Sequence, residues 1–290
     1  MIDKPFPDLD AWVVFFSQAN IPVLRHTEQR LAELRANANK SNARVISSVI
    51  LHDPLMTLRV LAYIEAKRNK NRDTDITTIE RALMMIGMEP FFRDFQELPL
   101  IEDQLKPHPR ALLGLLKTIN RARKAAQWAR DWAIYRHDLD VDEIVVATLL
   151  YDFVEILMWC FAPKLTIQVA ERLQADRTLR SVTVQAEVFN VPLHQIKLAL
   201  AQSWHLPELL TTLMNHDNAA QPRARNVKLA VDLARHSANG WDDAALPDDY
   251  KAIGELLHLS EEAVMRRLGL DKPDATTGAA ATDRALSNEV

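Results

Sequence analysis

The chain has 290 residues, a formal net charge of −4 and 48% hydrophobic residues, which is ample for a buried core and leaves no bulk basic field to draw nucleic acid. Only 6 glycines are present, against an average usage of roughly 7%. Neither G-x-G-x-x-G nor G-x-x-x-x-G-K-[ST] occurs, so glycine-rich phosphate loops and turn-dense β folds have no support.

The opening MIDKPFPDLDAW is acidic and proline-broken, unlike a signal peptide. The single cysteine, Cys160, can form neither an internal disulfide nor a thiolate zinc site. No uninterrupted run of about 18 apolar residues marks a membrane span, and a reducing, cytoplasmic compartment is expected.

Residues 1–8 read as an irregular lead. Leu9, Trp12, Val13 and Phe16 then recur at helical spacing, and Leu24, Leu31 and Leu34 continue it to a polar interruption, NANKSNA. Val45, Ile46, Val49 and Ile50 mark one helix face. Asp53-Pro54 predicts a helix start, because Asp accepts from free first-turn amides and Pro lacks a donor that would go unpaired there. Leu55, Leu58, Leu61 and Ala62 form its stripe. KRNKNRDTD (67–75) reads as a loop. Thr77 and Glu80 have capping-box spacing ahead of Ile79, Leu83 and Ile86. Gly87 fits the helix end, and Glu89-Pro90 a turn beyond it.

KPHPR (106–110) is the candidate subdomain boundary. Helical patterns follow over 111–136, 141–160, 163–175, 178–188, 193–203, 207–216 and 223–237, and Pro247 opens a last helix near 248–268. The tail from Asp271, rich in Ala, Thr and Asp, is expected to be disordered. The predicted fold class is all-α with two helical subdomains, 1–107 and 108–240, then a C-terminal helix in 241–270 and a tail, 271–290.

A hydrolytic divalent-metal site needs imidazoles and carboxylates held together with room for a water. The His-Asp phosphohydrolases use a His on one helix, an adjacent His-Asp on the next long helix, and a later Asp. Here the dyad position on 141–160 reads Tyr151-Asp152, and Tyr, with a pKa near 10, is a poor ligand. The preceding helix offers Asn120, Arg121 and Lys124 but no histidine. Asp232 falls one residue late for the last ligand, a rotation of about 100° on a helix. A lone Asp152 cannot hold a catalytic metal, so no catalytic or metal-binding residue and no cofactor are assigned. A buried carboxylate paired by neighbouring polar groups is the plainer reading.

His137-Asp138 is a literal His-Asp, but it lies in the polar connection YRHDLDVDE and reads as a surface loop. His216-Asp217 ends a helix, where His meets the helix dipole. His52 is a boundary residue before the Asp53-Pro54 cap. Lys117, Arg121 and Lys124, at i, i+4 and i+7, share a face that could contact a partner or a phosphate. A solvated face explains the same row, and no interleaved aromatic platform accompanies it.

Several segments together resemble the HDOD domain, a non-catalytic relative of the His-Asp hydrolases found in bacterial signalling proteins. VISSVILHDPLMTLRVLAYI is similar to its Asp-Pro signature, ITTIERALMMIGM to its next capped helix, ATLLYDFVEILMW to its degenerate long helix, and WHLPELLTTLMNHD to its Trp-x-Leu-Pro-Glu helix. The likeness spans roughly residues 20–237. Two departures stand out. Glu65-Ala66 replaces the family's usual Asn-Ser, and Tyr151 replaces a commonly retained histidine, so Tyr151 and Asp152 mark a vestigial dyad. The resemblance implies two helical subdomains and a non-enzymatic signalling or regulatory scaffold whose partners are proteins of a bacterial pathway; the basic row at Lys117, Arg121 and Lys124 leaves a nucleotide ligand open. The competing reading is a divergent metal-dependent phosphohydrolase acting on a nucleotide or cyclic dinucleotide.

Overall fold

In a computed structural model that describes residues 1–37, 41–67, 76–176, 178–218 and 220–270, the His216 side chain apart, regular structure is helical. Most of the polar loop 67–75, part of the NANKSNA interruption, the His216 side chain and the tail from Asp271 lie outside the described residues. The first helices are α1 (Leu9–Gln18), α2 (Arg25–Ala36), α3 (Ala43–Ile50), α4 (Pro54–Lys67), α5 (Ile79–Ile86), α6 (Met88–Asp94) and α7 (Ile101–Gln104). Then come α8 (Pro109–Tyr135), α9 (Val141–Leu149), α10 (Phe153–Phe161), α11 (Pro163–Ala175), α12 (Ser181–Phe189) and α13 (Leu193–Ser203). The last are α14 (Glu208–Met214), α15 (Pro222–His236), α16 (Leu246–Leu257) and α17 (Glu261–Arg267). Among the described residues no strand forms. One isolated parallel bridge joins Val23 and Leu100.

The Asp53 cap forms as expected. Its Oδ1 accepts from the amides of Leu55 and Met56 at 3.0 and 3.1 Å, and its Oδ2 accepts from the Leu24 amide at 2.8 Å. One buried carboxylate therefore starts α4 and pins the entry to α2. Burial still pushes the Asp53 carboxyl above its ordinary value despite these donors. Gly87 ends α5 at φ 82°, a conformation that favours glycine.

Four local expectations are corrected. The cap of α5 is Thr78, whose side chain accepts from the Arg81 amide. The Thr77 hydroxyl is instead committed to Glu143 Oε1 at 2.6 Å, and Arg223 holds the other oxygen of that buried carboxylate at 2.6 Å. Glu89-Pro90 lies in the first turn of α6 rather than in a loop, where a residue without an N–H costs nothing. The expected helix 248–268 is two, because His258 turns left-handed at φ 55° and Ser260 caps α17. Finally, 141–160 is two helices separated at residues 150–152.

Together α9 and α10 reach the length and apolar character of a membrane-crossing helix without an uninterrupted apolar run, and 83% of their most apolar window is buried within the fold. The core runs from Ile2 to Val264. Trp12, Phe16, Phe91, Trp132, Phe153 and Phe189 are fully enclosed in it, each contributing about 1.5–3 kcal/mol by leaving water. Across the expected 107/108 boundary, α1 packs against α13. Trp12 Nε1 donates to Phe189 O at 3.1 Å, and Ser17 and Ser203 hydroxyls meet at 2.8 Å.

Candidate functional site

Asp152 stands in the break before α10, at φ −105° and ψ 24°, and its side chain does not cap that helix. It faces two guanidiniums instead. Arg235, in the last turn of α15, donates from Nη2 to Oδ1 at 2.5 Å, and Arg121, midway along α8, donates from Nη2 to Oδ2 at 3.3 Å. Arg121 also donates to Glu155 Oε2 at 2.8 Å, and the Thr118 hydroxyl reaches Glu155 Oε1 at 3.4 Å. Lys197 on α13 closes another side. Its ammonium donates to the carbonyls of Met214 and Tyr151 at 3.0 and 3.4 Å and sits 4.0 Å from the Tyr151 ring centroid.

Three cations thus surround two carboxylates. Burial alone would push the Asp152 carboxyl up, but the charges of Arg235, Arg121 and Lys197 prevail and hold it below its ordinary value. Asp152 in turn raises Arg235 above the usual guanidinium range. Burial draws the Lys197 ammonium down to about 8, against the pull of Asp152. Burial also pushes the Tyr151 phenol up to about 12, so it stays protonated. This donor set does not fit a divalent cation. Both Asp152 oxygens are taken, the phenol is neutral, and an incoming metal would meet a net positive surround. Among the described residues no group of three His, Cys, Asp or Glu converges elsewhere.

Beside this centre lies a cleft of about 740 Å³ between α8, α10, α11 and the end of α15. Lys117, Arg121 and Lys124 all line it, so the helical spacing correctly placed them on one face. Their surroundings differ. Lys117 is exposed, whereas Arg121 is locked in the ion pairs above. Lys124 lies 4.7 Å from the Trp128 ring centroid and 5.0 Å from that of Trp241. No aromatic platform is interleaved through the row, but two rings meet its end: Trp128 follows Lys124 by one helical turn, and Trp241 reaches it only through the tertiary fold. Trp159 borders the cleft and packs on α8 at Gly114, where an added Cβ would stand 2.4 Å from the ring.

A sequence profile of the HDOD domain matches residues 21–220. The chain belongs to the HDOD domain family. Among solved structures, this HDOD chain resembles the MmoQ response regulator of Methylococcus capsulatus strain Bath, with 17% identity and a TM-score of 0.66 over 88% of this chain and 100% of that one. It also resembles a virulence factor of Campylobacter jejuni subsp. jejuni, with 16% identity and a TM-score of 0.64 over 91% of each chain. At such identities the likeness is one of fold. No curated protein matches the chain.

His137, His52 and Asp232 of this HDOD chain make their bonds elsewhere than to Asp152. His137 is the left-handed residue ending α8: its amide and that of Asp138 return to Ile134 O and Ala133 O at 3.0 and 2.9 Å, a Schellman closure. His52 holds Ser48 O through Nδ1 at 2.6 Å. Asp232 pairs with Lys228 within α15, while Arg235, three residues later, faces Asp152. Sequence reasoning missed Arg235, Lys197 and Glu155. Their only sequence signal is a charge placed among apolar helix positions.

Proposed function

We propose that this HDOD domain is a non-enzymatic regulatory module that acts by binding, as a scaffold for protein partners of a bacterial signalling pathway in the cytoplasm. One observation carries the reading: Arg121 and Arg235 converge on Asp152, so the protein's own cations neutralise the carboxylate of the vestigial dyad. A hydrolytic centre needs an open position at which a metal lowers the pKa of a bound water. Guanidiniums offer no such position. The name response regulator carried by the Methylococcus neighbour agrees with a signalling role.

The test joins elemental analysis of the purified protein to assays with a cyclic dinucleotide and with nucleoside triphosphates, each in the presence of manganese. Background rates and no stoichiometric metal are expected. One iron, manganese or zinc per chain, lost in Asp152→Ala together with metal-stimulated turnover, would establish the phosphohydrolase alternative instead.

A further inference from the structure

The cleft beside the ion-paired centre contains polar groups that the fold leaves unused. Trp159 and Ser237, 8% and 7% exposed, and Arg121 all belong to its lining. Trp159 Nε1, Ser237 Oγ and Arg121 Nε each lack a hydrogen-bond partner. A buried polar group left unpaired costs about 1–3 kcal/mol, so three around one cleft require an explanation that packing does not supply.

Charge gives the first part of it. Lys117, Lys124, Arg121 and Arg235 line the cleft, and Glu155 is the carboxylate among its lining residues. Asp152 and Glu155 take up Arg121 and Arg235, and Arg110 at the rim is paired with Glu171 at 2.7 Å, so Lys117 and Lys124 carry the charge left over. The walls therefore favour an anion. Shape gives the second. A smaller cavity of about 260 Å³ shares Arg121, Glu155, Trp159 and Arg235 with the cleft and continues against Met158, Leu173 and Phe189. A charged chamber opening onto one with more apolar walls suits a ligand with an anionic end and a flat end, and the cleft's own volume lies in the range of small-molecule sites, roughly 300–1,000 Å³. Gly114 gives the third. Glycine inside a helix costs roughly 0.5–1 kcal/mol relative to Ala, and here that position lets the Trp159 ring lie on the α8 backbone at the cleft wall.

We propose that this cleft binds a nucleoside phosphate, with the phosphate at Lys117 and Lys124 beside the ion-paired Arg121, and the base toward Trp159. The site rests on the non-catalytic reading above, because Arg121 and Arg235 contribute their charge only where no metal displaces them.

Isothermal titration of the full chain in EDTA, with AMP and GMP as probes and adenosine, guanosine and inorganic phosphate as controls, tests it. One nucleotide should bind saturably at one per chain. Its nucleoside and free phosphate should each bind about tenfold or more weakly, and affinity should fall as salt rises. The double variant Lys117→Glu/Lys124→Glu alters two exposed residues and should weaken binding at least about tenfold while the protein still melts in one cooperative transition. Trp159→Phe, which keeps a ring and removes Nε1, should weaken it severalfold. Absence of saturable binding, or binding indifferent to the charge reversal, overturns the proposal. Capture of an Asp/Glu-rich peptide that the nucleotides do not displace overturns it in favour of a protein segment. Failure to bind in a metal-free, inactive protein leaves the scaffold reading standing, whereas hydrolysis of either probe with manganese removes that reading by itself.

Discussion

Arg235 Nη2 lies 2.5 Å from Asp152 Oδ1, tying the last turn of α15 to the break between α9 and α10 across 83 residues of sequence. Removing one partner of such a pair leaves the other charge poorly compensated. Asp152→Asn should cost about 2–4 kcal/mol, somewhat under the cost of breaking a wholly enclosed pair, because the Arg235 side chain is 36% exposed and partly screened. Arg235→Met should cost a similar amount, and the double variant less than the sum. Urea unfolding of all four proteins measures this, and simple additivity would show that the two residues do not act as a pair.

Lys197 sets a pH signature. Its folded value of about 8 lies below the usual lysine value of 10.5. Between the two, the unfolded chain keeps a proton that the folded chain has released, so stability rises with pH through this window. Wild type should gain on Lys197→Met as pH climbs from about 8 to about 10, with the difference flat below pH 7. Urea midpoints at constant ionic strength measure it. A constant difference throughout would mean that Lys197 remains charged.

Asp53 serves three amides at once, those of Leu24, Leu55 and Met56. Asp53→Ala removes the α4 cap and also orphans the Leu24 amide, so the loss should exceed an ordinary cap deletion and reach about 2–4 kcal/mol. Thermal melts decide it. A change under about 0.5 kcal/mol would show that water replaces the carboxylate at little cost.

Gly114→Ala tests the Trp159 contact by its sign. Helix propensity alone predicts a gain of about 1 kcal/mol in the interior of α8. The new Cβ would stand 2.4 Å from the Trp159 ring, so the variant should instead lose about 1–3 kcal/mol by overpacking. A raised melting temperature would mean that Trp159 moves aside freely.

How much of this fold is legible along the chain follows from the reach of each signal. Asp53-Pro54, Gly87 and the apolar stripes of α1, α3 and α8 act within one or two turns, so these helices stood where spacing put them. The same locality set Lys117, Arg121 and Lys124 on one face. The failures share the opposite cause. Apolar residues continue through 141–161 because both α9 and α10 are buried, and periodicity has no term for a break in which Asp152 turns to Arg121 and Arg235. Thr77 had the spacing of a cap but was drawn to Glu143, 66 residues away. The sequence alone thus determined most of the helical stretches, the Asp53 cap and the absence of the histidine ligands. Only the tertiary structure decided which cations meet Asp152 and what the cleft beside it is made of, because a charge selects its partner through space and leaves no trace in the spacing of its own helix.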